Sequence, residues 1–541
     1  MAIHSGPLRP NVIVILNDDM GYSDIGCYGG EVETPNLDRL ARNGVRFTQF
    51  YNTPRCSPSR ASLLTGLHPH QTSVGILTEN QLPDGYEGNL NRRCVTIAEV
   101  LKSSGYRTYM SGKWHVANDW FDDKSNWPLA RGFDRYYGII AGSASYYNPI
   151  TLTRDNENIE KEALAPDYYL TDAISDNAVG FIRDHAAQSD GSPFFLYVAY
   201  TSPHWPLHAP EETIRKYQGR FAEGWDVLRR KRTRRMVEMG LIDPAWKLTP
   251  RDSTQPPWED AGHKEWEQRR MEVYAAQIDR MDQGIGRIVS ALEGTGRLDD
   301  TLILFMADNG GCAEVLLPPG ASLLAGHLAR EYAKDGTKVS LGNDPNLMPG
   351  GETTYQSYGV AWANLSNTPF RLYKHWTHEG GISTSLVAHW PKGITTPGEI
   401  RHSPAQLTSI MPTILEITGA SYPTSFNGNA IHPLEGESLV PLFESDAGGS
   451  RRKMLFWEHE GNAAVRDGKW KLVRNYPGAW ELYDMEADRT ELHDLAAGEP
   501  KRVAEMSAAY EAWAKRSGVI PREKILAYME RTRGARKGSK A

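Results

Sequence analysis

The chain has 541 residues, 40% of them hydrophobic and 23% charged, the usage of a folded globular protein with room for several domains of roughly 150 residues each. Its 67 acidic and 60 basic side chains leave a net charge of −7, which gives no electrostatic basis for binding nucleic acid or an anionic membrane. Cys27, Cys56, Cys94 and Cys312 are too scattered for a thiolate metal site or a disulfide framework, and the N-terminal MAIHSGPLRP lacks the apolar core of a leader, so a soluble, cytoplasmic protein is expected.

In chain order, Val12–Leu16 is an apolar, mostly β-branched run bounded by Pro10 and Asn17, which predicts a strand buried on both faces. Thr34-Pro35 opens a helix carrying Leu37, Leu40 and Ala41 and stopping at Gly44. Thr96-Ile97-Ala98-Glu99 is a capping box whose helix ends near Gly105, after which Tyr106–Met110 resumes as a strand. Further strands are expected at Phe194–Tyr200, Thr301–Met306 and Ser385–His389, with helices at Met271–Leu292 and Leu407–Ile417. The basic run Arg229–Arg235 falls in a polar, helix-prone stretch and reads as a solvated helix face. From Ala313 to Phe370 no element pattern is visible, as in a lid or binding loop. Past residue 445 the pattern changes to short strands, Met454–His459, Ala463–Arg474 with an Asp467-Gly468 turn, and Trp480–Tyr483. A helix at Arg502–Arg516 follows, then a basic, Gly-containing tail from Arg531 expected to be disordered. The expectation is an α/β unit over residues 1–445, built on a largely parallel sheet, and a smaller α+β unit over 446–541.

Ligands of open α/β sheets bind beyond the carboxyl ends of the strands, so the polar residues there carry the chemistry. The first strand ends in Asn17-Asp18-Asp19 and the Thr301–Met306 strand in Ala307-Asp308-Asn309. Two carboxylates about 4 Å apart repel by ~4 kcal/mol at an effective dielectric of 20, so three together call for a cation, and oxygen donors favour a hard one. The competing reading is that the first pair caps the next segment and the second forms a turn. Two other strands deliver Lys113-Trp114-His115 and His204-Trp205-Pro206, groups for proton transfer and for holding anionic oxygens, although a histidine beside a tryptophan is often simply packed. Lys374 precedes Trp376-Thr377-His378-Glu379-Gly380-Gly381. Trp114, Tyr146, Tyr147, Trp205 and Trp376 are candidates either for an aromatic leaving-group pocket or for packing.

Cys56 lies between Arg55 and Arg60, which could lower a thiol pKa. An arginine four rather than six residues after the cysteine departs from a cysteine-phosphatase loop, and a thiolate is a poor neighbour for a hard cation, so plain cysteine catalysis fits badly.

Cys56-Ser57-Pro58-Ser59-Arg60-Ala61-Ser62-Leu63-Leu64-Thr65-Gly66 matches the sulfatase signature C-x-P-S-R-x-x-L-x-x-G, and Gly105–His115 its second signature. Six fixed residues at roughly 5% usage each coincide about once in 10⁸ positions. The chain therefore resembles the sulfatase family, most of all the bacterial arylsulfatases of the alkaline-phosphatase superfamily, over about residues 10 to 490. The resemblance implies a large mixed, mostly parallel sheet between helices, with a smaller C-terminal antiparallel sheet. It also implies hydrolysis of sulfuric esters by the hydrated aldehyde of a Cα-formylglycine made from Cys56 by a formylglycine-generating enzyme that reads Pro58 and Arg60. By similarity Asp18, Asp19, Asp308, Asn309 and residue 56 hold one divalent cation, Ca²⁺ or else Mg²⁺. Arg60, Lys113, His115, His204 and Lys374 surround nucleophile and sulfate, with Asp308 as proton acceptor for the attack, His204 and Lys374 serving the leaving oxygen, and His115 the release of sulfate. His204 is preferred to His208 for its aromatic-proline context, and Lys374 for its spacing to Glu379. Hydrolysis of phosphonate monoesters or phosphodiesters is the alternative within the superfamily, and anion binding without catalysis a third reading.

Overall fold

The computed structural model describes residues 9–78, 83, 85–188, 191–317, 328–446 and 453–538. At its centre is a mixed sheet whose middle strands carry almost no polar side chains. β1 (Asn11–Asn17), β7 (Phe194–Ala199) and β8 (Thr301–Ala307) are buried along their whole length, as continuous apolar runs require when helices cover both faces. β1 lies between β7 and β8 and is parallel to both, with Leu16 opposite Ala199 on one side and Met306 on the other. β3 (Arg107–Gly112) pairs parallel to β7, Gly112 opposite Ala199. β4 (Arg135–Ile139), β5 (Leu152–Arg154) and β6 (Glu157–Asn158) continue that side of the sheet. On the other side the strand Ser383–His389 runs antiparallel to both β8 and β2 (Val45–Tyr51).

This register has a direct consequence. Four parallel strands end at the same level, and β2, antiparallel to an antiparallel strand, also ends there. The residues that begin the Ser383–His389 strand arrive at the same rim from the opposite direction.

The expected strands and helices are present within a residue or two, except that the helix of Met271–Leu292 extends to Lys264–Gly294. Three readings need correction, and one strand is additional. The basic run lies on the helix Gly224–Glu238, but only Arg230, Lys231 and Arg234 are exposed. Trp225, Leu228, Arg229, Arg232 and Met236 form its inward stripe at helical spacing. Arg232 is fully buried because Asp24 (2.9 Å) and Glu31 wait for it on the inside. Second, the stretch Ala313–Phe370 holds a helix at Gly359–Ser366 and a two-strand pair at Ser340–Leu341 and Thr354–Tyr355, while its residues 318–327 lie outside the described residues, as do 1–8 at the N-terminus. Third, the tail is helical from Arg522 to Gly538, held by Ile525 against Ile76 and Tyr86. The additional strand is Val45–Tyr51, whose mixed polarity gives no continuous apolar run to mark it. Among the described residues no helix is long and apolar enough to cross a membrane.

The C-terminal strands Leu455–His459, Asn462–Asp467, Trp470–Arg474 and Glu481–Asp484 form an antiparallel sheet. One face packs on the helix Pro500–Ser517 through Met506, Tyr510 and Trp513. The other face brings Trp457, Val473 and Tyr483 against Tyr51 and Ile382 of the large sheet. That junction also carries buried charge. Lys471 donates to Glu379 and reaches Glu491, each at 2.8 Å, and Arg489 donates to the second Glu379 oxygen at 2.9 Å. Breaking such a network strands a charge without solvent. Lys471→Met is therefore expected to destabilise the protein by about 3–5 kcal/mol, seen as a lower denaturation midpoint in urea, whereas substituting exposed Lys501 should leave the midpoint unchanged.

Candidate active site

All ten candidate residues come to the rim defined by the strand ends. Asp18 and Asp19 follow β1, Asp308 and Asn309 follow β8, Lys113 and His115 follow β3, and His204 follows β7. Lys374 precedes the strand Ser383–His389 and reaches the rim because that strand is antiparallel. Cys56 opens the helix Cys56–Thr65, delivered by β2, and Arg60 lies one turn later on the same inward face.

The three carboxylates are fully buried and cross-braced by cations. Lys113 Nζ donates to Asp18 Oδ2 at 2.6 Å, and Arg60 donates to Asp308 Oδ2 at 2.9 Å while standing 3.6 Å from Asp18 Oδ2. Lys374 Nζ donates to Asp19 Oδ2 at 2.9 Å, where His204 Nε2 also approaches to 3.4 Å. Asn309 Nδ2 donates to Asp19 Oδ1 at 2.7 Å, and the Asp19 amide donates to Asp308 Oδ1 at 3.2 Å. Two close approaches make this possible. A Cβ on Gly310 would lie 1.9 Å from the Gly380 carbonyl oxygen, so only glycine lets the loop after β8 meet the Glu379-Gly380-Gly381 segment. A Cβ on Gly142 would lie 2.3 Å from His115 Nε2, so that glycine leaves the imidazole its place.

The electrostatics separate the groups by role. Burial alone would raise the Asp18 pKa, but Lys113, His204, Arg60 and Lys374 outweigh it and hold the carboxyl below its usual range. Burial and the neighbouring Asp18 push Asp308 up to about 7 despite Arg60. Burial lowers His115 well below the ordinary histidine range, with Lys113 and Arg60 adding to the shift. Burial also lowers His204, against the pull of Asp19. Burial would lower the Lys374 pKa, but Asp19 and, behind it, Cys312, Glu314 and Cys56 together raise it. Burial raises the Cys56 thiol too, and Lys113 and Lys374 do not reverse it. A thiol above its normal pKa is not an activated nucleophile.

The donor set fits a hard divalent cation. Asp18 Oδ1 and Asn309 Oδ1 are buried without a hydrogen-bond partner among the described residues, beside carboxylates crowded enough to raise one pKa to about 7. Asp18, Asp19 and His204 offer ligand atoms within 4.8 Å of one another. Oxygen atoms dominate, the preference of Ca²⁺ or Mg²⁺.

A cavity opens onto Cys56, His115, His204 and Lys374, and its outer wall is made by Leu77, Trp120, Ser143, Trp205, Glu314 and Leu328. Arg55 and Glu314 close on each other at 2.7 Å there, and Trp205 Nε1 donates to Glu314 Oε2 at 2.9 Å. Of the five aromatic candidates only Trp205 lines this cavity. Trp114 is core, its Nε1 bound to the Asn126 carbonyl. Tyr146 stacks on Tyr169 and holds the Thr201 and His204 carbonyls, Tyr147 is tied to the Gly350 carbonyl, and Trp376 packs against the core. Trp120 and Glu314 carry no sequence signal of this position, whereas Arg55 is visible beside the cysteine.

The sulfatase family profile matches residues 10–420, and that of the C-terminal part of N-sulphoglucosamine sulphohydrolase matches residues 370–511. The chain is 34% identical to an arylsulfatase of Klebsiella aerogenes, covering 80% of this chain and 92% of that one. It is 30% identical to an uncharacterized sulfatase of Schizosaccharomyces pombe over 95% and 94% of the two chains. Ps i-CgsB, solved in complex with a neocarrahexaose, shares the fold, with a TM-score of 0.67 at 24% identity over 97% of each chain.

Asp308 is expected to make cation uptake compete with a proton. Below about pH 7 its carboxyl is protonated and must lose that proton to bind metal. Calorimetric titration with Ca²⁺ should show affinity falling by up to about tenfold per pH unit below 7 and levelling above it. A flat affinity from about pH 5.5 to 8 would contradict this assignment.

Proposed function

The chain belongs to the sulfatase family, and we propose that it is an arylsulfatase, hydrolysing sulfate monoesters of uncharged, apolar alcohols from a nucleophile at residue 56. The observation that carries the reaction is the placement of Cys56. It stands at the mouth of a helix between a carboxylate-rich, cation-competent side and the basic set of Lys113, His115, His204 and Lys374. A thiol whose pKa burial has raised is out of place there, and an oxygen nucleophile is not. Converted to formylglycine beside a divalent cation, residue 56 would supply a hydrated aldehyde whose attacking hydroxyl is already polarised.

The chain's own groups then divide the work. Asp308, ionised once it holds the cation and oriented by Arg60 at 2.9 Å, is the carboxylate placed to take the proton of an attacking hydroxyl. Arg60 and Lys113 reach the carboxylates from below and hold anionic charge at residue 56 and on sulfate. The Trp205 carbonyl can only accept, so at 2.6 Å it fixes the His204 proton on Nδ1 and leaves a lone pair on Nε2. That lone pair faces Lys374 Nζ at 3.4 Å, so the pair can pass a proton to a departing alkoxide. His115 is held neutral by burial and neighbouring cations, the state needed to accept a proton as sulfate is released.

The leaving-group side supports the substrate class. Leu77, Trp120, Trp205 and Leu328 are apolar, and the charged pair among the described wall residues, Arg55 and Glu314, neutralises itself. Among the described residues of that wall a polyanionic sulfated saccharide would find no unpaired cation, whereas an aromatic ring would find two indoles.

Aryl sulfates should exceed sulfated saccharides and aryl phosphonates in kcat/KM by at least about tenfold, and Trp120→Ala should raise KM for aryl sulfates by roughly tenfold, as loss of an indole contact worth ~1–2 kcal/mol implies. Faster cleavage of phosphonates would assign the alternative reaction. Cys56→Ala should abolish turnover with an unchanged circular dichroism spectrum. Active protein whose Cys56 peptide has only the mass of cysteine would rule out the modified nucleophile.

A further inference from the structure

Starting from the residue next to Lys374, three side chains converge that the reaction does not use. We propose that His375, His459 and Glu460 form a second metal site, for a transition-metal ion of the Zn²⁺ class, which clasps the C-terminal sheet to the segment carrying Lys374.

Each donor is fixed by its own backbone. His459 ends the strand Leu455–His459, and Glu460-Gly461 make the two-residue turn into Asn462–Asp467, with positive φ at both positions (53° and 90°) as a type I′ hairpin requires. The turn sets the Glu460 carboxylate beside the His459 ring. His375 comes from the large unit, its amide bound to the Pro54 carbonyl at 2.7 Å. His375 Nδ1 stands 3.2 Å from Glu460 Oε2, His459 Nε2 stands 3.7 Å from the same oxygen, and all three donor atoms lie within 4.8 Å of one another. Ligands about 2.0–2.1 Å from a tetrahedral Zn²⁺ are ~3.4 Å apart, so small shifts admit the ion.

A second, independent observation points to a ligand. His459 is 1% exposed, yet neither ring nitrogen has a hydrogen-bond partner among the described residues. Buried imidazoles are normally satisfied at one nitrogen at least. His375 and Glu460 are 34% and 22% exposed, so an ion can enter and keep a water as fourth ligand.

The surrounding charges are compatible. Arg522 holds Glu460 Oε1 at 2.7 Å and leaves Oε2 for the ion, orienting the carboxylate as an outer partner does. Burial above all keeps His459 unprotonated, with His375, Arg55 and His70 adding to it, and the Glu460 charge offsets their opposition to a cation. On metal uptake the His375 proton moves from Nδ1 to Nε2, which exchanges its 3.3 Å contact with the Asn462 amide for solvent. Two imidazoles and one carboxylate select a borderline ion over Ca²⁺, so the two sites sort metals by donor chemistry.

The test is spectroscopic and independent of any sulfatase activity. The full-length protein, saturated with Ca²⁺, is titrated with Co²⁺. The expected result is one equivalent producing the intense visible bands of tetrahedral cobalt, displaced by Zn²⁺, retained in Asp18→Asn and lost in His459→Gln. His375→Gln, at a partly exposed ring, gives the same loss should His459→Gln fail to fold. Zn²⁺ should also raise the denaturation midpoint of the native chain and not of His375→Gln. Absence of tetrahedral bands at millimolar Co²⁺, or bands that survive both histidine substitutions, overturns the proposal.

Discussion

Three carboxylates buried within reach of one another at the ends of β1 and β8 are the constraint to which the rest of the rim answers. Buried charges of one sign are tolerated only when opposite charge arrives with good geometry, and here each is met by a different element. Lys113 comes from the end of β3 to Asp18, Arg60 from the Cys56–Thr65 helix to Asp308, and Lys374 from the segment before an antiparallel strand to Asp19. The sheet topology is thus also an electrostatic arrangement. Were the Ser383–His389 strand parallel to β8, its leading segment would lie at the opposite edge and Asp19 would lose its cation.

The same bracing explains why cysteine is encoded at position 56 but is not suited to act as one. Lys113 and Lys374 would favour a thiolate, while Asp18, Asp308 and burial oppose it, and the balance falls on the side of the neutral thiol. The cationic charge of the rim is largely spent on the carboxylates. What stays in excess is oxygen-donor capacity at Asp18 Oδ1 and Asn309 Oδ1, suited to a hard cation and, with it, to an oxygen nucleophile.

How much of this is legible in the sequence depends on the range of the interactions. Val12–Leu16 and Thr301–Met306 announce themselves because a strand buried on both faces must be apolar throughout, and their polar ends mark the rim at once. The two signatures are legible because their residues are near neighbours along one helix or one strand end. Glu314 and Trp120 are not, since what makes them wall residues is contact with Arg55, Trp205 and the cavity, set by loops remote in sequence. The basic run misleads for the same reason: nothing local shows that Asp24 and Glu31, some two hundred residues away, draw Arg232 inward. Trp114 and Tyr146 have the composition of a pocket and the environment of a core, a distinction that only packing makes.

The segment from Lys374 to Ile382 joins these levels. At one end Lys374 braces Asp19, and at the other Glu379 is locked between Lys471 and Arg489 of the C-terminal unit. Just past Glu379, Gly380 and Gly381 pass so close to the Arg371, Leu372, Tyr373 and Trp376 backbone oxygens that no side chain fits. A short segment pinned at both ends has little freedom to move its lysine. The C-terminal sheet therefore contributes to the rim without placing a residue in it. It fixes the position of Lys374 through buried charge at Glu379, and His375, held beside Glu460, gives it a second hold on the same segment.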